Sequence, residues 1–290
     1  MSGLLSGLSE LGLGNMENID LYTEPEEKSA KDKIPEKPQK MKFQEKDFLF
    51  DKKYECPVCY ETFKEKTVRS GKLRLMGTDK DLRPLYEQME PLKYDVILCP
   101  HCGYATLTRY FGGLTASQIK SVRENISSSF HSPEPAGDIY TYEEAINRYK
   151  LCLASTIVKR GKASEKAYIC LKAGWLLRSM GEELDRKEPD YNKKLQSIRE
   201  QEREFLKNAL EGFITARQSE SYPICGMDEM TLEYLIAVLA MEFEQYEIAS
   251  KLISNVLISP SANPRTKDRA REIKEELVVK IREKKAAGHE

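Results

Sequence analysis

The alternation of hydrophobic and polar positions changes twice along the chain and divides it into three parts. Residues 17–46 are a Glu/Lys/Pro tract with few apolar side chains, which is typical of an extended or disordered linker. Beyond it, short β-rich runs broken by Gly and Pro predict strands at 67–69, 73–76 and 94–98. From Thr115 onward, apolar residues recur at three- and four-residue spacing, which predicts helices. The predicted helices cover residues 115–130, 141–159, 163–181, 192–219, 228–243, 245–258 and 265–285.

This pattern predicts an α+β fold in which a small β-rich zinc ribbon precedes a larger all-α array. The predicted parts are a peptide and linker at 1–46, the ribbon at 47–113 and the helices at 114–290. Two helical segments, YEEAINRYKLCLAS at 142–155 and YEIASKLISNVLIS at 246–259, each have Tyr three residues before Ala. Tetratricopeptide repeats place such small residues where paired helices cross closely. The similarity favours a tetratricopeptide-like array over an unclassified helical bundle, which would also place Ala at tight crossings.

The first 16 residues carry leucines on a glycine-rich background. Leu4, Leu8 and Leu11 fit one face of a helix, but the glycines between them make an isolated helix unstable. A short apolar peptide on a tether is typical of a docking motif for a partner or a membrane surface. The alternatives are a frayed terminus and a peptide that packs on its own C-terminal domain.

Composition narrows the functional classes. The 290 residues include 46 Lys and Arg against 47 Asp and Glu, a formal net charge of −1, which argues against a protein built to coat nucleic acid. No apolar run approaches the roughly 20 residues of a membrane span, and the first residues lack the basic segment of a secretory signal. We therefore expect a cytoplasmic protein in which reduced cysteines serve metal binding, packing or reactivity.

The strongest chemical motif is a pair of Cys-x-x-Cys segments. C-P-V-C at 56–59 and C-P-H-C-G at 99–103 each supply two thiolates from one tight turn. Four thiolates at tetrahedral corners are the ligand set of a structural zinc ion. The alternatives are an iron–tetrathiolate site, which uses the same ligands, and four buried cysteines without a metal. The predicted ligands are Cys56, Cys59, Cys99 and Cys102.

The residue after each cysteine pair differs. Gly103 permits a left-handed backbone, whereas Tyr60 in that conformation would cost roughly 1–2 kcal/mol or would force a different turn. Four thiolates leave no open position for water, which indicates a structural rather than a hydrolytic site. His101 lies between two ligands, and we expect it to be an exposed side chain at the tip of the turn and not a ligand. His131 and His289 stand in a loop and at the C-terminus, and three histidines are too few for a convincing acid–base site, so the sequence favours a non-enzymatic protein.

The segment between the cysteine pairs mixes charged and aromatic residues. Its basic residues include Arg69, Lys72, Arg74, Arg83 and Lys93, which lie near Tyr86 and Tyr94. These residues could bind nucleic acid, but the acidic residues among them and the negative charge of a tetrathiolate zinc centre make this the less favoured interpretation. Asp79 and Asp81 could ligate Mg²⁺, although a D-x-D pair without a third carboxylate is more typical of a solvated turn.

The remaining cysteines lie in the helical part. Cys152 and Cys170 fall on apolar helix faces near Trp175, and we expect all three to pack in the core. Cys225 lies in the breaker segment SYPICGMDE between two predicted helices. A reactive thiol there would need a cationic or helix-N-terminal environment, so core or loop packing is the favoured interpretation.

The stretch from FDKKYECPVCYETF to YDVILCPHCGYATLTRYF resembles a bacterial family of uncharacterised proteins, domain of unknown function 2225. Its members are similar in pairing two C-P-x-C segments around an arginine-containing insert, followed by tetratricopeptide-like helices. The resemblance runs from about Phe50 through most of the C-terminal part. It implies the same four cysteine ligands and the two-part architecture, and it implies no reaction.

Together these features favour a cytoplasmic, non-enzymatic adaptor. The zinc ribbon would be a rigid element that a partner recognises, and the helical array would offer a concave binding surface to a protein or peptide. One alternative is a nucleic-acid-associated zinc-ribbon regulator that uses the basic insert. The other is a redox protein with iron at the four cysteines. The sequence identifies neither the partner nor the oligomeric state.

Overall fold

The computed structural model describes residues 44–132, 137–187 and 189–287. The Leu-rich peptide and most of the charged linker lie outside the described residues, so the interpretations of both stay predictions. His289 also lies outside them. All of the elements below belong to one unit of the chain, Phe43–Glu290.

The described residues contain six short strands that pair as three antiparallel hairpins. These are β1 (Leu49–Glu55) with β2 (Thr62–Val68), β3 (Leu75–Thr78) with β4 (Pro84–Tyr86), and β5 (Val96–Leu98) with β6 (Ala105–Leu107). The predicted strand runs overlap β2, β3 and β5. The sequence analysis missed β1, because its centre is charged and exposed, and it missed β4 and β6, because three residues are too few to show an alternation.

Seven α-helices follow in the described residues, and they confirm the predicted helical runs. In the first run, the α-helix ends at Val122 and continues as a π-helical stretch at Arg123–Ser127, so the helical backbone ends before residue 130, where the prediction placed its end. The third run continues through Gly181, where a Cβ would lie 3.3 Å from the Leu195 side chain, so this glycine permits close helix packing and does not end the helix. No helix in the described ranges has both the length and the apolar composition that a membrane crossing requires. The helices are α1 (Ala116–Val122), α2 (Tyr142–Val158), α3 (Ala163–Glu183), α4 (Tyr191–Ser219), α5 (Glu229–Glu242), α6 (Tyr246–Ile258) and α7 (Pro264–Ala287).

Most buried side chains form one hydrophobic core, which β5 and β6 share with the helices. Cys152, Cys170 and Trp175 lie in this core, as predicted. The predicted α+β class is therefore confirmed. The domain boundary between residues 113 and 114 stays a prediction, and apolar side chains from the two sides of this boundary pack together in the core. The strand residues in the core are Val96, Leu98, Ala105 and Leu107.

A buried ion pair closes the free edge of β5. Glu65 on β2 is 4% exposed and accepts a hydrogen bond from the backbone N–H of Leu98 at 3.2 Å. Arg148 on α2 forms an ion pair with Glu65 and donates to the carbonyl of Val96 at 3.2 Å. The hydroxyl of Tyr140 donates to the other carboxylate oxygen of Glu65. Two side chains thus take the place of a neighbouring strand, and they join the first hairpin, the third hairpin and α2.

A second polar network holds the tip of the β3–β4 hairpin against the helices. Arg83 is 3% exposed and contacts Asp79 at 2.6 Å, Ser179 at 3.1 Å and Glu182 at 2.8 Å. Neighbouring tip residues reach three different helices. Asp81 contacts Trp175 and Arg178 on α3. The carbonyl of Lys80 accepts a hydrogen bond from Tyr234 on α5. On α7, Arg269 contacts Thr78 and Glu276 forms an ion pair with Lys80.

We expect Glu65→Ala to lower the free energy of unfolding by about 3–5 kcal/mol. The substitution leaves the guanidinium of Arg148 buried without its counter-charge, and it removes the acceptor for the Leu98 N–H. Chemical denaturation followed by circular dichroism measures the loss. The matched control is Glu87→Ala, whose exposed pair with Arg74 contributes about 0–1 kcal/mol. Equal losses in the two variants would contradict the role assigned to Glu65.

Candidate metal centre

The two cysteine pairs form the same kind of turn. The N–H of Tyr60 donates to the carbonyl of Cys56 at 2.9 Å, and the N–H of Gly103 donates to the carbonyl of Cys99 at 3.0 Å. The backbone φ angles of Tyr60 and Gly103 are +65° and +76°. Of the two expectations for Tyr60, the strained left-handed conformation is therefore the one observed, and the turn keeps its geometry. Each pair sits at the end of a hairpin, between β1 and β2 or between β5 and β6.

These turns bring the four predicted ligands together. Their sulfur atoms all lie within 4.8 Å of one another, and all four thiols are free of disulfides. The Sγ–Sγ distances are 3.6 Å from Cys56 to Cys102 and 3.6 Å from Cys59 to Cys99. Four thiolates at about 2.3 Å from a tetrahedral ion would be separated by about 3.8 Å. The donor set and its spacing therefore fit a single metal ion, and they do not distinguish zinc from iron.

Contacts within the cluster shift the pKa values of three of the cysteines. The hydrogen bond from Cys102, with a second from Cys99, lowers the pKa of Cys56. The contacts within the cluster raise the pKa values of Cys99 and Cys102, and burial of the thiols raises them further. Burial and these mutual contacts therefore oppose full ionisation of the four thiols. Because thiolates are the ligands, binding of a metal ion releases the remaining protons.

Two residues outside the motifs support the cysteine turns. Arg123, at the end of α1, donates from Nε to the carbonyl of Val58 at 3.0 Å, and its guanidinium lies 5.8 Å from the ring of Tyr60. The ring of Phe130 packs so closely on Gly103 that a Cβ there would lie 2.5 Å from it. Sequence reasoning missed both residues, because nothing in their spacing from the cysteines marks them.

The structure removes Arg83 and Asp81 from the list of surface candidates, and it pairs the half-buried carboxylate of Asp79 with Arg83 and Arg178. Arg83 is buried against α3, so it cannot contribute to the predicted nucleic-acid surface. Asp81 is also buried, with its carboxylate bound to Trp175 and Arg178, so neither a Mg²⁺ site nor a solvated turn describes it. Among the described residues, only the four cysteines group closely enough to hold a metal ion.

Lys93 is likewise buried, in an ion pair with Glu45 at 2.7 Å, whereas the other predicted basic residues remain on the surface. Arg74 forms an exposed ion pair with Glu87, and the guanidinium of Arg69 lies 5.0 Å from the ring of Phe50. Lys72 is exposed. His101 lies exposed at the tip of the second turn, outside the cysteine group, as the sequence analysis expected. These side chains are accessible, but their basic surface is smaller than predicted because Arg83 and Lys93 are buried.

Cys225 lies in a half-buried loop before α5. Its thiol accepts a hydrogen bond from Tyr110 at 3.3 Å and donates to the carbonyl of Ser164 at 3.3 Å. Burial raises the pKa of Cys225, which is opposite to the change that activates a thiol. The packing interpretation of this cysteine is therefore supported over the reactive one.

Comparison with known proteins places the chain in a family. The family described as "Uncharacterized protein conserved in bacteria (DUF2225)" matches residues 49–277, and the chain belongs to this family. No curated protein and no solved structure matches the chain. The matched residues include all four cysteines, and the family description assigns no activity.

Substitutions in the two turns should have different effects on the free energy of unfolding. Tyr60→Gly relieves the left-handed backbone and loses the contact with Arg123, so we expect the free energy of unfolding to stay unchanged or rise by up to about 1 kcal/mol. Gly103→Ala adds a Cβ at φ +76° against the Phe130 ring, and we expect a fall of about 1–3 kcal/mol. Denaturation of the metal-loaded protein measures both changes.

The control for these variants is Gly112→Ala. A Cβ at Gly112 meets no atom within 4 Å, and its φ is not positive, so the substitution should not be destabilising. A fall in stability for Tyr60→Gly as large as that for Gly103→Ala would show that the left-handed conformation at Tyr60 is not strained.

Proposed function

We propose that Cys56, Cys59, Cys99 and Cys102 bind one zinc ion, and that the protein is a non-enzymatic, cytoplasmic adaptor for protein–protein interaction. The observation that carries the proposal is the grouping of four cysteine sulfurs within 4.8 Å of one another. A closed tetrathiolate site has no position for a water or a substrate, so its contribution is to folding rather than to a reaction. Zinc is preferred over iron because structural four-cysteine sites of this kind most often hold zinc.

The proposed architecture is a zinc ribbon at 47–113 followed by a tetratricopeptide-like array at 114–290. Ala145 on α2 and Ala249 on α6, which occupy matching positions in the two similar segments, are both fully buried. Helices α3 and α4 also cross at small residues, since a Cβ at Gly212 would lie 2.8 Å from Ala167. These close crossings support the array, although a helical bundle would use the same residues.

We place the partner on the exposed strand of the β3–β4 hairpin. The tip of this hairpin contacts α3, α5 and α7, so the chain itself covers part of the helical surface. Leu75 and Met76 on β3 are 54% and 58% exposed, and Arg69, Lys72 and Arg74 lie nearby in the sequence. This surface, residues 69–76, suits a protein with an apolar patch and acidic neighbours.

Metal analysis tests the first half of the proposal. We expect one zinc ion per chain in protein from a metal-sufficient culture, and less than a tenth of that in Cys99→Ser, because three thiolates hold zinc far more weakly. Elemental analysis gives the stoichiometry. Cys225→Ser is the control and should retain full metal, since this cysteine lies outside the group. Coloured protein that contains iron would replace zinc in the proposal, and metal-free folded protein would refute it.

Partner recovery tests the second half. From lysate of the native bacterium, the tagged full chain should retain a stoichiometric protein, and Leu75→Glu with Met76→Glu should lose it, because burying two charges in the contact is unfavourable. Ile258→Glu is the control, since Ile258 is 80% exposed on α6 and lies outside residues 69–76. Consistent absence of a partner, or equal recovery by both variants, would count against this surface.

A further inference from the structure

The four cysteines differ in their access to solvent. Three of them are at most 5% exposed, namely Cys56, Cys99 and Cys102. Cys59 is only partly buried, and its neighbour Tyr60 is 60% exposed. A reagent or a chelator in solution can reach a sulfur atom only where the side chain is accessible. The first cysteine turn, residues 56–60, is therefore the open side of the group.

The second cysteine turn, residues 99–103, is covered by an aromatic side chain. The ring of Phe130 packs on Gly103 so closely that a Cβ there would lie 2.5 Å from it. Gly103 is buried, and the next residue, Tyr104, is 1% exposed in the small hydrophobic core around the cysteines. The residue that corresponds to Gly103 in the first turn is the exposed Tyr60. The two turns therefore hold their cysteines by different means.

The guanidinium of Arg123 holds the backbone of the first turn. Its Nε and Nη2 atoms both donate to the carbonyl of Val58, and the Nε contact is 3.0 Å long. This carbonyl belongs to the peptide group that joins Val58 to Cys59. Because a peptide group is planar, a fixed carbonyl also fixes the N–H and the Cα atom of Cys59. The N–H of Val58 donates to the sulfur of Cys56 at 3.4 Å, so Arg123 positions the segment that carries both ligands of this turn.

Arg123 also stands where the type of helix changes. The α-helix ends at Val122, and the N–H of Ser128 donates to the carbonyl of Arg123 at 3.1 Å within the π-helical stretch. Such stretches are rare and are frequent at functional sites. The left-handed backbone of Tyr60 is a second irregularity, and it faces the same guanidinium. Irregular backbone of the kind found at functional sites is thus concentrated at the open turn and at the residue that holds it.

We propose that Arg123 is a positioning residue that controls exchange of the bound metal ion, and that exchange takes place at Cys59. The inference rests on the proposed metal site. While Arg123 binds the carbonyl of Val58, Cys59 stays in its place as a ligand. When this contact opens, Cys59 leaves the ion first, because its side chain already has access to water, whereas Phe130 keeps the second turn closed. The reagents that this geometry suits are chelators and small thiol-directed electrophiles.

Chelator competition tests the role of Arg123. The zinc-loaded full chain is mixed with an excess of the chromogenic chelator 4-(2-pyridylazo)resorcinol, and absorbance gives the rate of zinc release. We expect Arg123→Gln to release zinc about 10- to 100-fold faster than the unsubstituted chain, since residues that orient metal ligands commonly have effects of this size. The matched control is Lys120→Gln, because Lys120 lies one turn earlier on α1 in an exposed pair with Glu124. Its release rate should be unchanged.

Alkylation identifies the ligand that leaves first. The thiolate sulfur forms a bond to the methylene carbon of iodoacetamide and iodide leaves, so the cysteine is marked as a thioether. In the zinc-loaded chain at low conversion, fragment-ion mass spectrometry should find Cys59 modified about fivefold more often than Cys99 or Cys102, because only accessible thiolates react readily. Arg123→Gln should raise the rate at Cys59 first. A general loss of stability would instead raise the rates at all four cysteines alike.

Two results would overturn the inference. Equal release rates for Arg123→Gln and Lys120→Gln would show that the contact with Val58 does not control exchange. Labelling that begins at Cys99 or Cys102, or that is equal at all four positions, would show that exchange does not take place at Cys59. A chain that contains no zinc before the chelator is added would refute the proposed metal site itself, so the two failures are distinguishable.

Discussion

The buried ion pair between Glu65 and Arg148 holds together parts of the fold that have little stability of their own. Each of the three sheets in the described residues has two strands, and an isolated two-stranded hairpin is at best marginally stable in water. Glu65 belongs to the hairpin that carries the first cysteine turn, and its partner Leu98 belongs to the strand that leads into the second, as does Val96, the partner of Arg148. The carboxylate of Glu65 therefore helps to fix the relative position of the two turns.

The long segment between the cysteine pairs has a structural explanation. A minimal ribbon needs no such insert, but here its tip forms a buried set of charges with α3 and contacts α5 and α7. Arg83 provides the charge that Glu182 and Asp79 share. A buried charge of this kind is tolerated only when its partners are in place, so the insert and the helices require each other. The helices and the hairpins are consequently joined by polar as well as apolar contacts.

Much of this arrangement could be predicted from the sequence. The features that could not be predicted depend on contacts between residues that are far apart in the sequence. The 3.6-residue periodicity identified the helices, because each buries one apolar face, and the spacing of Cys56, Cys59, Cys99 and Cys102 identified the cluster. The burial of Arg83 could not be predicted, because it depends on Ser179 and Glu182 nearly 100 residues away. Arg123 and Phe130 support the turns through contacts that leave no local pattern, and three-residue strands such as β6 are too short to have one.

The exposed turn at Ser70–Lys72 gives the chain an unusual connectivity. One pair of cysteines lies before it and the other lies after it, while the hairpin that follows is fastened to the helices by its own charges. A cut in the backbone at Gly71 would thus produce two polypeptides that each keep half of the sulfur cluster. A metal ion there would then join two separate chains, together with the contacts of Glu65 and Val58 across the cut. A proteolytic nick at this turn would make the assembly of the protein depend in part on the metal ion.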